Sequence, residues 1–429
     1  MALPHITQTE FTREASTNGE VRPVLVTDDL TAEFTFSLGD HVLVDPVSSR
    51  GEVVGLQEVD GVTMEGDIVP SNVKIYEMRV SDPYVKADPV AQGLMDEYVD
   101  RMESAVTRYG YDPLTARGTE HPYMGVESSD GTGNLFTDLW LEGNSALAAW
   151  RTWVPHAVAL DYLTNPTQDG TVTPKGRDAV PVPKNPEFVA HMRHNADAIA
   201  IRSRSVAMQA IAQAHLEGVD ADSVNWLSLA SGTAEPSLHA LKHIMDSRGP
   251  DFSASLDAVD IMKSSLAHVR ENAERIGYQG ALNERRGNII ASDFPEWLLK
   301  DVGDSRTRWS IVEDTGFEEY LPQKGDPIGA FNGMGLPQAS DFKERAWQLV
   351  DKERGAMISG NMVHPRPQAK NVFGIVDWDL INAREERGIL DIHKKAGVMD
   401  HPDSLVRMYR VIEDGTGQHV YNITKSIVK

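Results

Sequence analysis

The sequence predicts a doubly wound α/β fold with a mostly parallel sheet for its C-terminal half, and three observations predict it. From Val224 onward, short apolar runs alternate with amphipathic stretches, the pattern of successive βαβ units. The first run, Val224-Asn-Trp-Leu-Ser-Leu-Ala230, passes through a turn of small residues, Ser231-Gly-Thr-Ala-Glu-Pro236, into a helical pattern carrying Leu238, Leu241, Ile244 and Met245. The second run, Leu256-Asp-Ala-Val-Asp260, ends in an acid about 30 residues after that turn, a position from which a carboxylate accepts hydrogen bonds from ribose hydroxyls. An adenosine-containing ligand is implied. Asp260 also stands where it can cap the helical run that follows, Lys263-Ser-Ser-Leu-Ala-His-Val-Arg-Glu-Asn-Ala273.

Composition bounds the rest. A chain of 429 residues exceeds what one core usually serves, so two domains, or one with an elaborated N-terminal part, are expected. Its 41% hydrophobic and 24% charged residues are those of a folded, not a disordered, chain. A net charge of -23 argues against an unspecific grip on nucleic acid, which needs clustered cations. The best local basic candidate, Asn283-Glu-Arg-Arg286, is short and reads as a solvated face. The absence of cysteine removes disulfides, thiolate nucleophiles, zinc ribbons and iron–sulfur ligation. Met1-Ala-Leu-Pro-His-Ile-Thr-Gln8 lacks a basic start followed by an apolar run, and no stretch approaches the ~18 apolar residues of a membrane span. Cytoplasmic residence is the default expectation.

Along the chain, residues 1–86 read as a small antiparallel β unit, with Glu33-Phe-Thr-Phe-Ser-Leu38, His41-Val-Leu-Val44 and Gly51-Glu-Val-Val-Gly55 as short runs between turns. Residues 87–164 read as helical, a lid or substrate-recognition part, with Val90, Leu94, Tyr98, Met102 and Val106 on one face. Residues 165–186, dense in Pro, Gly, Thr and Asp, read as a linker to the last domain, 187–429. That domain opens with a helical stretch over Phe188 to Gly218.

The chemistry-bearing segments resemble a known family. Leu229-Ala-Ser-Gly-Thr-Ala-Glu235 and Val259-Asp-Ile-Met-Lys-Ser-Ser-Leu-Ala267 are similar to the first two motifs of class I S-adenosylmethionine-dependent methyltransferases. Arg285-Arg-Gly-Asn-Ile289 resembles the exit of the third strand, Ile311-Val-Glu-Asp-Thr-Gly-Phe-Glu-Glu-Tyr-Leu321 the fourth strand and its loop, and Gly355-Ala-Met-Ile-Ser-Gly-Asn361 the fifth. Within the family, Ile201-Arg-Ser-Arg204, Phe317-Glu-Glu-Tyr-Leu321, Gly360-Asn361 and Asp377-Trp-Asp-Leu-Ile381 resemble the bacterial group typified by the methyltransferase proposed for 3-hydroxypalmitic acid methyl ester, an extracellular signal. The resemblance implies a Rossmann-like seven-stranded sheet whose last strand, near Gln418-His-Val-Tyr-Asn-Ile-Thr424, is antiparallel. It implies S-adenosyl-L-methionine as cofactor and methyl transfer to the oxygen of a small-molecule or lipid-like acceptor.

Carried over residue by residue, Ala230, Ser231, Gly232, Thr233, Ala234 and Glu235 would line the methionine moiety, and Asp260 would hold the ribose. Ile261 and Met262 would pack beside the adenine, Asn288 would face its amino group with Ile289 a further cofactor-binding residue, and Asp314, Thr315 and Gly316 would close the site near the transferred methyl. Ala230 and Ala234 depart from the family, which favours glycine there, so the fit implies negative φ at both.

An in-line displacement at a sulfonium methyl needs alignment and partial desolvation more than a strong acid or base. Tyr320 and His364 are the candidates to orient or deprotonate the acceptor; packing under a loop and a place in a Pro-rich turn are their plain alternatives. A dehydrogenase is disfavoured because its phosphate turn wants Gly-x-Gly-x-x-Gly, whereas Glu235 stands where a pyrophosphate would sit. Transfer of the aminocarboxypropyl or aminopropyl group of the same cofactor stays open, as does a non-catalytic binding protein. His239 and His243 are one helical turn apart, but no third metal ligand accompanies them.

Overall fold

The computed structural model describes residues 35–46, 50–108, 160, 163–164, 171–172, 180–181, 185–303, 307–326, 336–365 and 381–428. In chain order these form β1 (Glu52–Glu58), β2 (Val73–Ser81), α1 (Pro83–Ala87), α2 (Pro89–Arg108), β3 (Thr171–Val172), β4 (Val180–Pro181), α3 (Pro186–His194) and α4 (Ala196–Glu217). The alternating part follows with β5 (Ser223–Leu229), α5 (Glu235–Arg248), β6 (Ser253–Asp260), α6 (Lys263–Ile276), β7 (Ala281–Arg286), α7 (Glu296–Val302) and β8 (Ile311–Glu313). After a 3-10 turn at Glu318–Tyr320 come α8 (Ala339–Trp347), β9 (Ala356–Met362), α9 (Glu386–Lys395), β10 (Ser404–Glu413) and β11 (His419–Val428).

The described residues fall into two compact units, one from 35–46 and 84–198, the other from 50–83, 199–365 and 381–428. The second unit is built on one mixed sheet of order β1-β2-β10-β11-β9-β8-β5-β6-β7. Strands β7, β6, β5, β8 and β9 run parallel, and β11 is antiparallel to both β9 and β10. The expected antiparallel last strand is therefore present, in a mixed α/β sheet of nine strands rather than seven. The two extra strands are β2, whose Val73–Val80 runs parallel to Val406–Glu413 of β10, and β1, antiparallel to β2. These strands, read above as part of a separate N-terminal unit, continue the large sheet and cover the backbone edge that β10 would otherwise expose.

Local sequence explains the central strands. Met357, Ile358, Val312, Leu227, Leu229, Leu256 and Val259 are buried, as befits parallel strands covered on both faces. Trp309, Phe294, Phe342, Trp347 and Ile389 complete one core with Leu227, Leu229, Val259, Val312 and Met357. β7 forms the other edge, and there Asn283-Glu-Arg-Arg286 lies on the strand itself; Arg285 is committed to Asp257 (2.8 Å) and Asp301 (2.5 Å).

In the first unit, Asp88 caps α2 by accepting the Ala91 N–H at 3.0 Å, with Pro89 in the first turn. The buried stripe of α2 is Ala91, Met95, Tyr98, Val99 and Met102, while Val90 is exposed. Strict spacing of four drifts around a helix of 3.6 residues per turn, so the stripe expected from Val90 is displaced; Val106 lies in a part whose side chains are outside the described set. Phe36 packs 5.1 Å from Tyr98 and 5.4 Å from His191, and burial pushes the His191 imidazole down to about 3. The segment read as a linker contains the β3–β4 pair, with Val172 opposite Val180.

Candidate functional site

The sheet order reverses between β5 and β8: from β5 the chain winds outward to β6 and β7, then crosses back to β8. Ligands in doubly wound sheets sit at the carboxyl ends of the strands at such a point. The register pairs Ser228 with Glu313 across it, and the Ser228 hydroxyl donates to Glu313 Oε2 at 2.7 Å. Both strands end immediately afterwards, in the two turns singled out from the sequence.

The turn after β5 is stitched to β6. The Ser231 N–H donates to the Val259 carbonyl (2.9 Å), and the Ala234 N–H closes back on the Ser231 carbonyl (2.8 Å). Asp260 ties three strand exits together. Its Oδ2 accepts the Gly232 N–H at 3.0 Å, its Oδ1 the Met262 N–H at 2.7 Å, and its carbonyl the Gly287 N–H at 3.1 Å. Burial raises the Asp260 carboxyl above the usual range, opposed by the amides of Met262, Gly232 and Ile261. Capping is not the role the structure gives Asp260, because Met262 occupies the cap of α6.

Ala230 and Ala234 do not keep negative φ: their values are 50° and 48°, flanking Gly232 at 53°. The tight closure of the turn forces the left-handed region at all three positions. The alanines hold a glycine-type backbone at a cost of roughly 1–2 kcal/mol each.

Around the next exits, Ile261 is 58% exposed and Met262 half-buried, whereas Ile289 is buried and packs with the core. Asn288 is exposed, with its Oδ1 accepting the Ile290 N–H at 3.1 Å, which orients the side-chain amide and leaves its NH2 group free of that bond.

Beyond β8, Glu313 Oε1 accepts the Thr315 N–H at 2.6 Å. Asp314 is fully buried, and burial pushes its carboxyl up to about 7 against the pull of Lys343. Lys343 itself pairs with Glu318 at 2.6 Å and donates to the Ser359 hydroxyl at 2.8 Å. Neither Asp314 oxygen has a hydrogen bond of ordinary geometry, nor do the buried hydroxyls of Thr315 and Ser231. On the two turns that flank the switch point, the Ser231 hydroxyl is thus left without a partner, while the Asp314 carboxyl lies beside Ser359 and the Thr315 side chain beside Glu313.

Beside Gly316, at φ 94°, lies the Arg204 guanidinium, and a side chain at 316 would collide with it. Arg204 Nη1 reaches the Tyr421 hydroxyl (3.3 Å) and Glu319 (3.9 Å), while Tyr421 donates to Glu319 Oε2 at 3.0 Å. A Cβ at Gly360 would come within 2.6 Å of Tyr421 and 2.8 Å of Thr315. The segments Ile201–Arg204, Phe317–Leu321 and Gly360–Asn361, far apart in sequence, therefore converge on one place; of the fourth, only Ile381 is among the described residues. Arg204, Glu319 and Tyr421 were not recognised as site residues from the sequence. The available signal was a charged Arg204 within an otherwise apolar helix face.

Tyr320 is half-buried in the 3-10 turn, and its hydroxyl lies near enough to Arg204 to favour the guanidinium charge. His364 stands after β9 with its N–H on the Arg384 carbonyl (3.1 Å), and no described contact joins its imidazole to Asp314, Thr315 or Gly316. His239 is engaged by Arg50 and Glu235, and His243 lies 3.8 Å from Glu217. Among the described residues no group of three or more candidate ligands could hold a metal ion, and no helix is long and apolar enough to cross a membrane.

No known family profile and no curated protein matches the sequence. Solved structures do resemble it. A possible exported protein from Bordetella parapertussis is 15% identical, with a TM-score of 0.44 over 79% of this chain and 96% of that one. Magnesium protoporphyrin IX methyltransferase from Synechocystis, crystallised with SAH, is 10% identical, with a TM-score of 0.37 over 55% of this chain and 88% of its own. A SAM-dependent methyltransferase from Agrobacterium tumefaciens is 10% identical, with a TM-score of 0.36 over 61% and 72% respectively. At such identities and scores the fold rests on this chain's own strand order.

Proposed function

We propose that the carboxyl ends of β5, β6 and β8 bind S-adenosyl-L-methionine and that the chain transfers its methyl group to an oxygen of a small-molecule acceptor. One observation carries the reading. The buried Asp260 carboxylate stands at the exit of β6, oriented by the Gly232 and Met262 amides, with lone pairs left for two ribose hydroxyls. The residues present fit such a cofactor: the Ser231 hydroxyl, buried without a hydrogen-bond partner, offers one to the amino-acid end, and the turn from Ala230 to Ala234 keeps side chains minimal.

When bound, S-adenosyl-L-methionine supplies an electrophilic sulfonium methyl. The chain's own contribution is alignment. Asp260 fixes the ribose, Ile261 offers an apolar surface for the base, and Asn288 presents its NH2 group beside it. Asp314, whose carboxyl burial raises well above the usual range, would close the site at the amino-acid end. Tyr320, held near Arg204, orients the acceptor oxygen; His364 is the other candidate for the same task. The likeness of Ile201–Arg204 and Phe317–Leu321 to the 3-hydroxypalmitic acid methyl ester group supports a carboxylate or hydroxyl as that acceptor.

Incubation with S-adenosyl-L-methionine and a panel of hydroxy and carboxylic acids, read by the by-product, tests the reaction. S-adenosylhomocysteine formed in step with a methylated acid supports methyl transfer. Methylthioadenosine would replace it with aminocarboxypropyl or aminopropyl transfer, and bound cofactor without turnover would leave a binding protein.

A further inference from the structure

Away from the switch point, the sheet carries a run of like charges. In the antiparallel ladder of β10 and β11, Arg407 lies directly opposite Lys425; in the parallel ladder on its other side, Arg407 is paired with Lys74 of β2. Directly opposed like charges destabilise a strand pair. His215, near the end of α4, faces the same group, and both Lys425 and Arg407 act on its ring.

Compensation is missing. Glu58 is the acid beside Arg407, and it is committed to Lys74 at 2.8 Å and to the Tyr76 hydroxyl at 3.1 Å. Lys425 is only 4% exposed, yet no hydrogen bond or ion pair holds its ammonium among the described residues. The Arg407 Nε and His215 Nε2 atoms are buried without a hydrogen-bond partner, although the backbone at Arg354 and Ser310 also engages the His215 ring. Lys74, Arg407 and Lys425 set against Glu58 leave two positive charges uncompensated in a chain whose total is -23. Like charges held this close repel one another, and a bound counter-charge would offset that repulsion.

We infer that Lys425, Arg407 and His215 form a binding site for a phosphate-type oxyanion, separate from the cofactor site and independent of its assignment. Arg407 supplies a planar fork for two oxygens and lies against the Tyr409 hydroxyl, Lys425 a point charge for a third, and His215 Nε2 a further polar contact. Arg407 and His215 are half-buried while Lys425 is buried, so the site opens to solvent on the arginine side. Burial and Arg407 draw the Lys425 ammonium down to about 8, and burial with Lys425 draws the His215 ring down to about 4. A bound dianion would relieve both.

The test is thermal unfolding of the full chain with inorganic phosphate, glycerol 3-phosphate or chloride at fixed ionic strength, in wild type, Lys425→Met and Arg407→Gln. Wild type is expected to show a saturable rise in Tm, about 2 °C at ten times Kd, with either phosphate compound and not with chloride. Both variants should lose that dependence, and Arg407→Gln, at the half-exposed position, serves if Lys425→Met fails to fold. A larger rise with glycerol 3-phosphate assigns the site to a phosphate ester, an equal or smaller one to the free ion. The absence of a saturable rise in wild type, or the same rise in a folded variant, would overturn the inference.

Discussion

Glycine at positions 230, 234 and 240 should separate strain from burial in a single series. Ala230 and Ala234 sit at φ 50° and 48°, where a Cβ costs roughly 1–2 kcal/mol that glycine does not incur. Against that gain, glycine loses about 0.5–1 kcal/mol more chain entropy on folding. Burial of the methyl then decides the sign. Ala230 is half-buried and gives up little, so Ala230→Gly should stabilise by about 0.5 kcal/mol. Ala234 is 4% exposed and forfeits most of about 0.8 kcal/mol, which leaves Ala234→Gly near neutral. Ala240, fully buried within α5 at ordinary helical φ, has no strain to release, and Ala240→Gly should cost about 1.5–2 kcal/mol. Urea unfolding followed by circular dichroism measures all three. If Ala230→Gly proves as destabilising as Ala240→Gly, the left-handed strain assigned to the turn is not there.

Three further outcomes are expected. Because burial raises the Asp314 carboxyl to about 7 from its ordinary 3.8, the native state holds a proton that the unfolded chain releases between about pH 4 and 7, so stability falls as pH rises through that window. Asp314→Asn should remove this fall, making the variant more stable relative to wild type at pH 8 than at pH 4; parallel urea-midpoint profiles for the two proteins would refute it. Lys343→Met strands Glu318 beside Asp314 in a dry setting and should cost about 3–5 kcal/mol, most of it recovered in Lys343→Met/Glu318→Leu; a double variant no better than the single one would contradict this, by chemical denaturation. Tyr421→Phe removes a hydroxyl from Glu319 and Arg204 and should cost about 1–3 kcal/mol, read as a lowered unfolding midpoint.

Strands β5 and β6 are legible in the sequence because both faces of each are covered, which makes them largely apolar between Asn225, Ser228 and Asp257, and because they end at a small-residue turn and at Asp260. The antiparallel last strand is equally plain. Pairing of β2 with β10 is not, since the partners lie more than 300 residues apart and neither strand carries a local mark of its neighbour. The left-handed backbone at Ala230 and Ala234 was hidden for a different reason: alanine says nothing of φ, and only the closure of the turn through Ser231 and Gly232 dictates it. Arg204, Glu319 and Tyr421 come from a helix, a 3-10 turn and the last strand, so their convergence is a property of topology rather than of any motif. Ile289, placed near the cofactor by analogy, packs in the core cluster of the sheet, a burial that its sequence neighbours Gly287 and Asn288 do not announce.

Calorimetric titration of the purified chain with S-adenosylhomocysteine, S-adenosyl-L-methionine and NAD, repeated on Asp260→Ala, tests the central claim most directly. Saturable binding of both adenosyl compounds with 1:1 stoichiometry, lost in a folded Asp260→Ala, is the predicted result. No binding by wild type, a preference for NAD, or binding undiminished in the variant would contradict it.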